Sequence, residues 1–97
     1  MDWRKIDDAV RIEPGAKAPL KGRDCDGDAV FPDRAEAEKS TAECALTIDR
    51  LQDRLYAEGM RALLVVLQGI DTSGKDGTVR GVFNQCGPLG VNVTGFG

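Results

Sequence analysis

The stretch GIDTSGKDGT, residues 69–78, combines glycines, hydroxyl side chains and a lysine in an order suited to binding phosphate. Gly69, four intervening residues, Gly74 and Lys75 match the phosphate-loop (Walker A) pattern G-x-x-x-x-G-K-[ST] in every letter but the last. Glycines let backbone N–H groups turn inward around an anion, a helix start adds partial positive charge, and a lysine supplies a mobile cation. The spacing therefore predicts a phosphate-binding loop, and its alternative is a plain turn with a surface lysine.

Two acidic residues, Asp71 and Asp76, stand in and beside this loop. Asp76 takes the position at which Ser or Thr would place a hydroxyl on Mg²⁺, and the nearest hydroxyl downstream is that of Thr78. The helix dipole favours an acidic residue in the first turn, which accounts for Asp76. The Asp71 carboxylate would face bound phosphate and be repelled by it unless a cation lay between them. Asp71 is therefore predicted to be either a Mg²⁺ ligand or part of an Asx turn that only shapes the loop.

Apolar segments on both sides of the loop supply the elements expected to position it. Residues 62–67 are continuously apolar, as in a parallel strand buried on both faces, and chemistry sits at the carboxyl end of such strands. The i, i+3, i+4, i+7 spacing from Val79 to Cys86 predicts a helix, and residues 91–96 alternate as a second strand. The fold class predicted is α/β, with one right-handed βαβ unit of a parallel sheet and flanking helices.

A long helix is predicted before this unit, over residues 33–58. Asp33 is a suitable N-cap after a proline, and Gly59 is a suitable C-cap. Apolar residues spaced alternately by three and four form one stripe along the helix. This stripe favours packing on the helix's own domain over a dimerising coiled coil, because it spans barely two heptads.

Residues 1–32 are expected to form an extended arm with at most a short strand, because prolines and glycines recur there without apolar periodicity. Inside this arm DCDGD, residues 24–28, places aspartates at alternate positions, as at the start of a calcium loop. The rest of that pattern is missing, since Ala29 and Ala35 stand where glycine and glutamate belong. A solvated turn is therefore predicted for residues 24–28.

The composition excludes several function classes. The chain has 97 residues, of which 41% are hydrophobic and 30% charged, as in one globular domain with a modest core. A net charge of -3 argues against a nucleic-acid partner, and the absence of histidine removes the commonest general base and metal ligand. No apolar run is long enough to span a membrane or to act as a leader, so a cytoplasmic protein without a membrane partner is predicted.

The three cysteines are Cys25, Cys44 and Cys86. Their odd number and wide spacing suggest neither a disulfide framework nor a zinc pair, so reduced thiols are predicted.

The segment LLVVLQGIDTSGKDGTVRGVF, followed by GPLGVNVTGFG, resembles the opening of the family 2 polyphosphate kinases, whose loop reads G-x-D-x-x-G-K-x-G-[ST]. The matching residues here are Gly69, Asp71, Gly74, Lys75, Gly77 and Thr78. The similarity covers roughly residues 33–97 and, more loosely, the arm over residues 1–32. It implies that residues 33–97 are the N-terminal part of a P-loop kinase-like phosphotransferase domain.

The resemblance also implies an activity: phosphoryl transfer between inorganic polyphosphate and a nucleoside mono- or diphosphate, AMP or ADP, with Mg²⁺ as cofactor. It makes Asp71 a metal ligand and Lys75 a phosphate clamp, while Arg80 is either a further cation for polyphosphate or a solvated helix residue. The complete protein is expected to be a homo-oligomer. The expected binding residues are Gly69, Asp71, Thr72, Ser73, Gly74, Lys75, Asp76, Gly77 and Thr78.

Some positions depart from the family pattern. Cys86-Gly87-Pro88 stands where the family usually has Asn-Pro, and Gly81 and Gly95 replace bulkier residues, which weakens packing more than chemistry. The family continues with a second acidic motif and an arginine-bearing lid, so the chain is expected to be an inactive fragment of the enzyme.

Two other functions are compatible with the sequence. One is an ATP-dependent small-molecule kinase or NTPase, against which Asp76 counts because a hydroxyl is expected directly after the lysine. The other is a non-catalytic module in which the helix over residues 33–58 binds a partner.

Overall fold

The computed structural model of the chain describes residues 2–17, 22, 27 and 30–96. Within these residues the regular elements are three α-helices: α1 Trp3–Val10, α2 Arg34–Glu58 and α3 Lys75–Phe83. None of the described helices combines the length and the apolar character that crossing a bilayer requires. The chain divides into two compact units, Met1–Ser40 and Thr41–Gly97, and the boundary falls within α2.

Helix α1, in the first unit, was not predicted from the sequence. Asp2 is its N-cap, and its carboxylate accepts hydrogen bonds from the backbone N–H groups of Arg4 at 3.1 Å and Lys5 at 3.4 Å. Asp7 and Arg11 form an ion pair at 2.8 Å across the last turn. These contacts are local. Trp3, Ile6 and Val10 also follow the i, i+3, i+7 spacing of an amphipathic helix, a signal that sequence reasoning missed.

Helix α2 confirms the predicted long helix and both of its caps. The carboxylate of Asp33 accepts from the N–H groups of Ala35 at 2.8 Å and Glu36 at 3.2 Å, which satisfies donors that a helix start leaves unpaired. At the other end Gly59 has a φ of +66°, and its N–H donates to the carbonyl of Leu55 at 3.3 Å. A left-handed residue after the last turn is the usual reason for glycine at this position.

The apolar stripe of α2 is only partly covered in the second unit. Leu51, which belongs to the predicted stripe, remains 56% exposed, while Ala45, which was not assigned to the stripe, is buried with 4% of its surface exposed. The turn before residues 91–96 contacts α2, where the side-chain amide of Gln52 donates to the carbonyl of Leu89 at 2.8 Å. A Cβ atom on Gly90 would lie 2.6 Å from the Tyr56 ring. Helix α2 therefore anchors this turn by direct contact.

The predicted α/β fold with a parallel sheet is wrong for the described residues, which contain no β-strand. Residues 61–70 and 91–96 adopt no regular structure. Side chains of the expected first strand face solvent, with Leu63 76% and Leu64 85% exposed. The physical reason is that an apolar run indicates a tendency to be buried, but a strand also needs a neighbour to pair its N–H and C=O groups. The βαβ unit predicted from the two segments is consequently absent.

Helix α3 confirms the predicted helix after the loop, but its extent differs. It begins at Lys75 and ends at Phe83, so Cys86 lies beyond it, in a turn where the N–H of Cys86 donates to the carbonyl of Phe83 at 3.1 Å. The apolar spacing continued past the helix end because Cys86 is half-buried in the turn that follows.

Of the three cysteines, Cys44 and Cys86 are described, and both are free thiols, as predicted. Burial raises the pKa of the Cys86 thiol above its ordinary value, and the carboxylates of Asp49 and Asp53 add to the rise. A protonated thiol is a poor nucleophile, so this environment does not activate Cys86. Cys25 and the predicted solvated turn over residues 24–28 lie outside the described residues, apart from Gly27.

Candidate functional site

The loop ahead of α3 is a tight turn that its own backbone closes. The N–H of Ser73 donates to the carbonyl of Ile70 at 3.1 Å, which spans the turn from residue 70 to residue 73. Thr72 has a φ of +66° and Gly74, the N-cap of α3, a φ of +89°. Glycine adopts this region without steric cost, whereas a β-branched threonine does so rarely and under strain. The loop therefore has a specific, locally determined shape.

Lys75 lies in the first turn of α3 and folds back over this loop. Its ammonium nitrogen Nζ donates to the carbonyl of Gly69 at 2.7 Å, to the carbonyl of Ile70 at 3.0 Å and to the hydroxyl of Ser73 at 3.3 Å. The side chain is half-buried. These bonds hold the positive charge of Lys75 over the turn, at the N-terminal end of α3. The helix dipole makes this end partially positive as well.

Asp71 is exposed at the outer side of the same turn. Its carboxylate oxygen Oδ1 accepts from the N–H of Thr72 at 3.1 Å, so Asp71 contributes to the shape of the loop. Among the described residues no group of three or more acidic, cysteine or histidine side chains could hold a metal ion. An exposed carboxylate is nevertheless a hard oxygen donor of the kind that Mg²⁺ uses with phosphate and water ligands. Asp71 therefore fits Mg²⁺ as a single protein ligand.

The remaining predicted site residues belong to α3. The hydroxyl of Thr78 donates to the carbonyl of Gly74 at 3.1 Å, in addition to the helical bond from the Thr78 N–H at 2.9 Å. Asp76 lies exposed in the first turn, where the helix dipole favours it. Arg80 lies in the last turn, about 7 to 8 Å further along the helix axis than Lys75 at 1.5 Å per residue.

The structure thus joins some of the predicted site residues by direct contact and leaves others apart. Gly69, Ser73 and Lys75 meet through hydrogen bonds, and Gly74 and Thr78 meet at the helix start. Sequence reasoning missed Ile70, whose carbonyl accepts from both Ser73 and Lys75. Nothing in the residue type could have revealed it, because every residue carries a backbone carbonyl and only the turn aims this one at Lys75.

Similarity to known proteins establishes the class of this chain and confirms the resemblance stated above. The family Polyphosphate kinase 2 (PPK2) matches residues 32–97, and the chain belongs to this family.

Two named relatives are similar to it. The AMP/ADP-polyphosphate phosphotransferase of Meiothermus ruber is 41% identical over 88 residues, which are 90% of this chain and 33% of that protein. The ADP-polyphosphate phosphotransferase of Rhodopseudomonas palustris is 41% identical over 46 residues, which are 47% of this chain and 16% of that protein. The chain thus spans about a third of the length of the first relative. No solved structure matches it significantly.

Proposed function

We propose that the protein containing this chain transfers a phosphoryl group between inorganic polyphosphate and a nucleoside mono- or diphosphate, with Mg²⁺. The names of both relatives support polyphosphate as one substrate, and AMP or ADP as the other. The observation that carries the proposal is Lys75, whose ammonium group is held over a tight turn at the start of α3. A phosphate chain carries the negative charge and the oxygen acceptors that complement an ammonium group and the N-terminal end of a helix.

The chain's own residues supply binding and charge. Lys75 donates to phosphate oxygens and neutralises part of their charge, and the N–H groups at the start of α3 add partial positive charge beside it. Gly74 lets the backbone come close to the phosphate because glycine has no side chain, and for the same reason it adopts its left-handed conformation without steric cost. Thr72, Ser73, Asp76, Gly77 and Thr78 complete the binding segment in this proposal. Phosphoryl transfer depends mainly on such positioning and charge neutralisation.

Asp71 is the residue that would hold Mg²⁺ in this proposal. A Mg²⁺ ion held there would supply positive charge that offsets the negative charge of the phosphate oxygens. The Asp71 carboxylate keeps Oδ1 on the Thr72 N–H, which fixes the direction of the side chain at the edge of the turn. Arg80 would contact polyphosphate further along α3, at the surface of the helix.

Further parts of the proposal concern the whole protein. We propose that it is a cytoplasmic homo-oligomer without a membrane partner. The net charge of -3 supports the further proposal that it has no nucleic-acid partner. The second acidic group and the lid of the family would lie in residues other than these 97, which correspond to a third of the Meiothermus ruber relative.

The proposal is tested by assaying the full-length protein with polyphosphate, Mg²⁺ and either AMP or ADP. The expected result is formation of the nucleotide one phosphate longer, dependent on both polyphosphate and Mg²⁺. A parallel reaction with ATP and no polyphosphate tests the ATP-dependent alternative. ATP hydrolysis that polyphosphate does not affect, with no product from AMP or ADP, would contradict the proposal.

A further inference from the structure

Ser73 occupies a distinct place among the three groups that accept hydrogen bonds from Lys75. The carbonyls of Gly69 and Ile70 accept at 2.7 and 3.0 Å, whereas the Ser73 hydroxyl accepts at 3.3 Å. An ammonium group has three donors and no acceptor, so these three partners together satisfy it. The bond to Ser73 is the longest, and a hydroxyl can rotate away, so it is the one most easily exchanged.

Space at the loop is arranged around the same hydroxyl. A Cβ atom on Gly69 would overlap with the hydroxyl oxygen of Ser73 and lie 2.8 Å from the Ser73 Cβ. Gly69 does not have a positive φ, so its backbone conformation does not require glycine. The absence of a side chain at residue 69 is instead explained by the position of Ser73. Two residues therefore cooperate to keep one hydroxyl next to Lys75.

We propose that the Ser73 hydroxyl is an exchangeable partner of Lys75, and that before phosphate binds it occupies the place that a phosphate oxygen then takes. This inference rests on the proposed function, since it assumes that the loop binds phosphate. The carbonyls of Gly69 and Ile70 accept hydrogen bonds from Lys75 both before and after phosphate binds. The third N–H of the Lys75 ammonium group donates to Ser73 before binding and to a phosphate oxygen after it. Binding then costs one weak hydrogen bond and leaves the position of the lysine unchanged. Because Gly69 has no side chain, it leaves room for the Ser73 hydroxyl next to Lys75.

The first measurement follows the reactivity of Lys75 in the full-length protein without any phosphate compound. Trace acetic anhydride acylates each lysine at a rate that mass spectrometry reads from its peptide, and the exposed Lys39 on α2 serves as the internal reference. Lys75 should react about tenfold more slowly than Lys39, because its amine is engaged by three acceptors. Ser73→Ala should raise the rate at Lys75 by about fivefold, as expected for the loss of one hydrogen bond.

Gly69→Ala provides an independent way to displace the hydroxyl, because the added Cβ collides with it. It should raise the labelling of Lys75 as Ser73→Ala does. The matched control is Gly81→Ala in α3, where an added Cβ meets nothing within 4 Å. Gly81→Ala should leave the labelling of Lys75 unchanged. Equal labelling of Lys75 in the parent, Ser73→Ala and Gly69→Ala proteins would overturn the inference.

The second measurement is the affinity for sodium tripolyphosphate by calorimetry with Mg²⁺. If Ser73 competes with phosphate for Lys75, Ser73→Ala should tighten binding by about threefold, because a competing state is removed. Weaker binding would show that Ser73 itself contacts the phosphate, and the inference would be wrong while the proposed function stood. If neither the parent nor the variant binds tripolyphosphate, the proposed function fails, and the inference fails with it.

Discussion

The loop over residues 69–78 and the apolar segments on either side of it differ in the interactions that fix their conformation. Inside the loop, the hydrogen bonds run between residues at most six positions apart, as in the bond from Lys75 to Gly69. The apolar segments, residues 62–67 and 91–96, have no regular structure and expose much of their apolar surface, including 95% of Phe96. A turn is completed by its own residues, whereas a strand is completed only by a neighbour. The candidate chemistry thus lies on the part that is locally determined.

The largest effect is expected when residues 1–97 are produced alone: phosphoryl transfer should be undetectable. The exposed apolar side chains of residues 62–67 favour aggregation or loose packing in water, and one loop supplies only part of a phosphoryl-transfer site. Turnover with polyphosphate, Mg²⁺ and AMP or ADP is measured, together with near-ultraviolet circular dichroism from Trp3 and Tyr56. The Meiothermus ruber relative is the positive control. A monodisperse, rigid and active sample would contradict this prediction, because it would show that the apolar segments need no partners outside residues 1–97.

Lys75→Ala in the full-length protein should lower the rate of phosphoryl transfer by about 10² to 10³-fold, as removal of one preorganised donor typically does. The loop also loses its bonds to the Gly69 and Ile70 carbonyls, so a stability loss of about 1 kcal/mol is expected. Steady-state kinetics and thermal unfolding measure the two effects. Lys39→Ala, at an exposed position of α2, is the control for loss of a lysine. Activity within a few-fold of the parent would remove Lys75 from the site.

Asp71→Asn separates the two roles proposed for Asp71. Asparagine keeps an oxygen for the Thr72 N–H but loses the charge, so the turn should persist while Mg²⁺ binding weakens. The Mg²⁺ concentration at half-maximal rate should rise about tenfold, equivalent to about 1.4 kcal/mol. Asp8→Asn, at an exposed position of α1, controls for the change in net charge. An unchanged Mg²⁺ dependence would mean that Asp71 only shapes the turn.

The smallest effect on activity is expected for Gly90→Ala, which acts on the apolar region instead of the loop. Gly90 has a φ of +78°, and an added Cβ would lie 2.6 Å from the Tyr56 ring and 2.8 Å from the Gln52 amide nitrogen. The strained backbone and the overlap should lower the free energy of unfolding by about 1 to 3 kcal/mol. Denaturant unfolding of the full-length protein measures this loss.

Gly87→Ala is the matched control for Gly90→Ala. Gly87 lies three residues before Gly90, lacks a positive φ and has nothing within 4 Å of an added Cβ. Its unfolding free energy should stay within about 0.5 kcal/mol of the parent. If the two variants unfold alike, the contact between α2 and residues 89–90 does not anchor the second apolar segment.

The parts of the fold that sequence reasoning predicted correctly are those with local signals. Asp33 and Gly59 marked the ends of α2 because capping involves residues within one turn of each other. The helix after the loop was predicted for the same reason, although its end was placed too late. The sheet was predicted wrongly, because an apolar run over residues 62–67 carries no information on which segment would pair with it.

The candidate site shows the same division. The spacing of Gly69, Gly74 and Lys75 was enough to select the loop. The family was predicted from the resemblance of the longer segment around the loop, and the similarity over residues 32–97 confirms it. The roles of Asp71, Lys75 and Arg80 stay predictions. Neither the carbonyl of Ile70 as a partner of Lys75 nor the half-buried position of Lys75 followed from the pattern.

By itself, then, the sequence determined the family, the ends of the long helix and the residue types of the loop. Each of these can be identified from residues that lie close together along the chain. Only the tertiary structure decided that Lys75 folds over the loop onto the Gly69 and Ile70 carbonyls and that Gly90 packs against Tyr56. It also decided that residues 62–67 remain exposed. The physical reason is that hydrogen bonding and burial depend on which groups meet in space, and a one-dimensional pattern specifies the groups without specifying their partners.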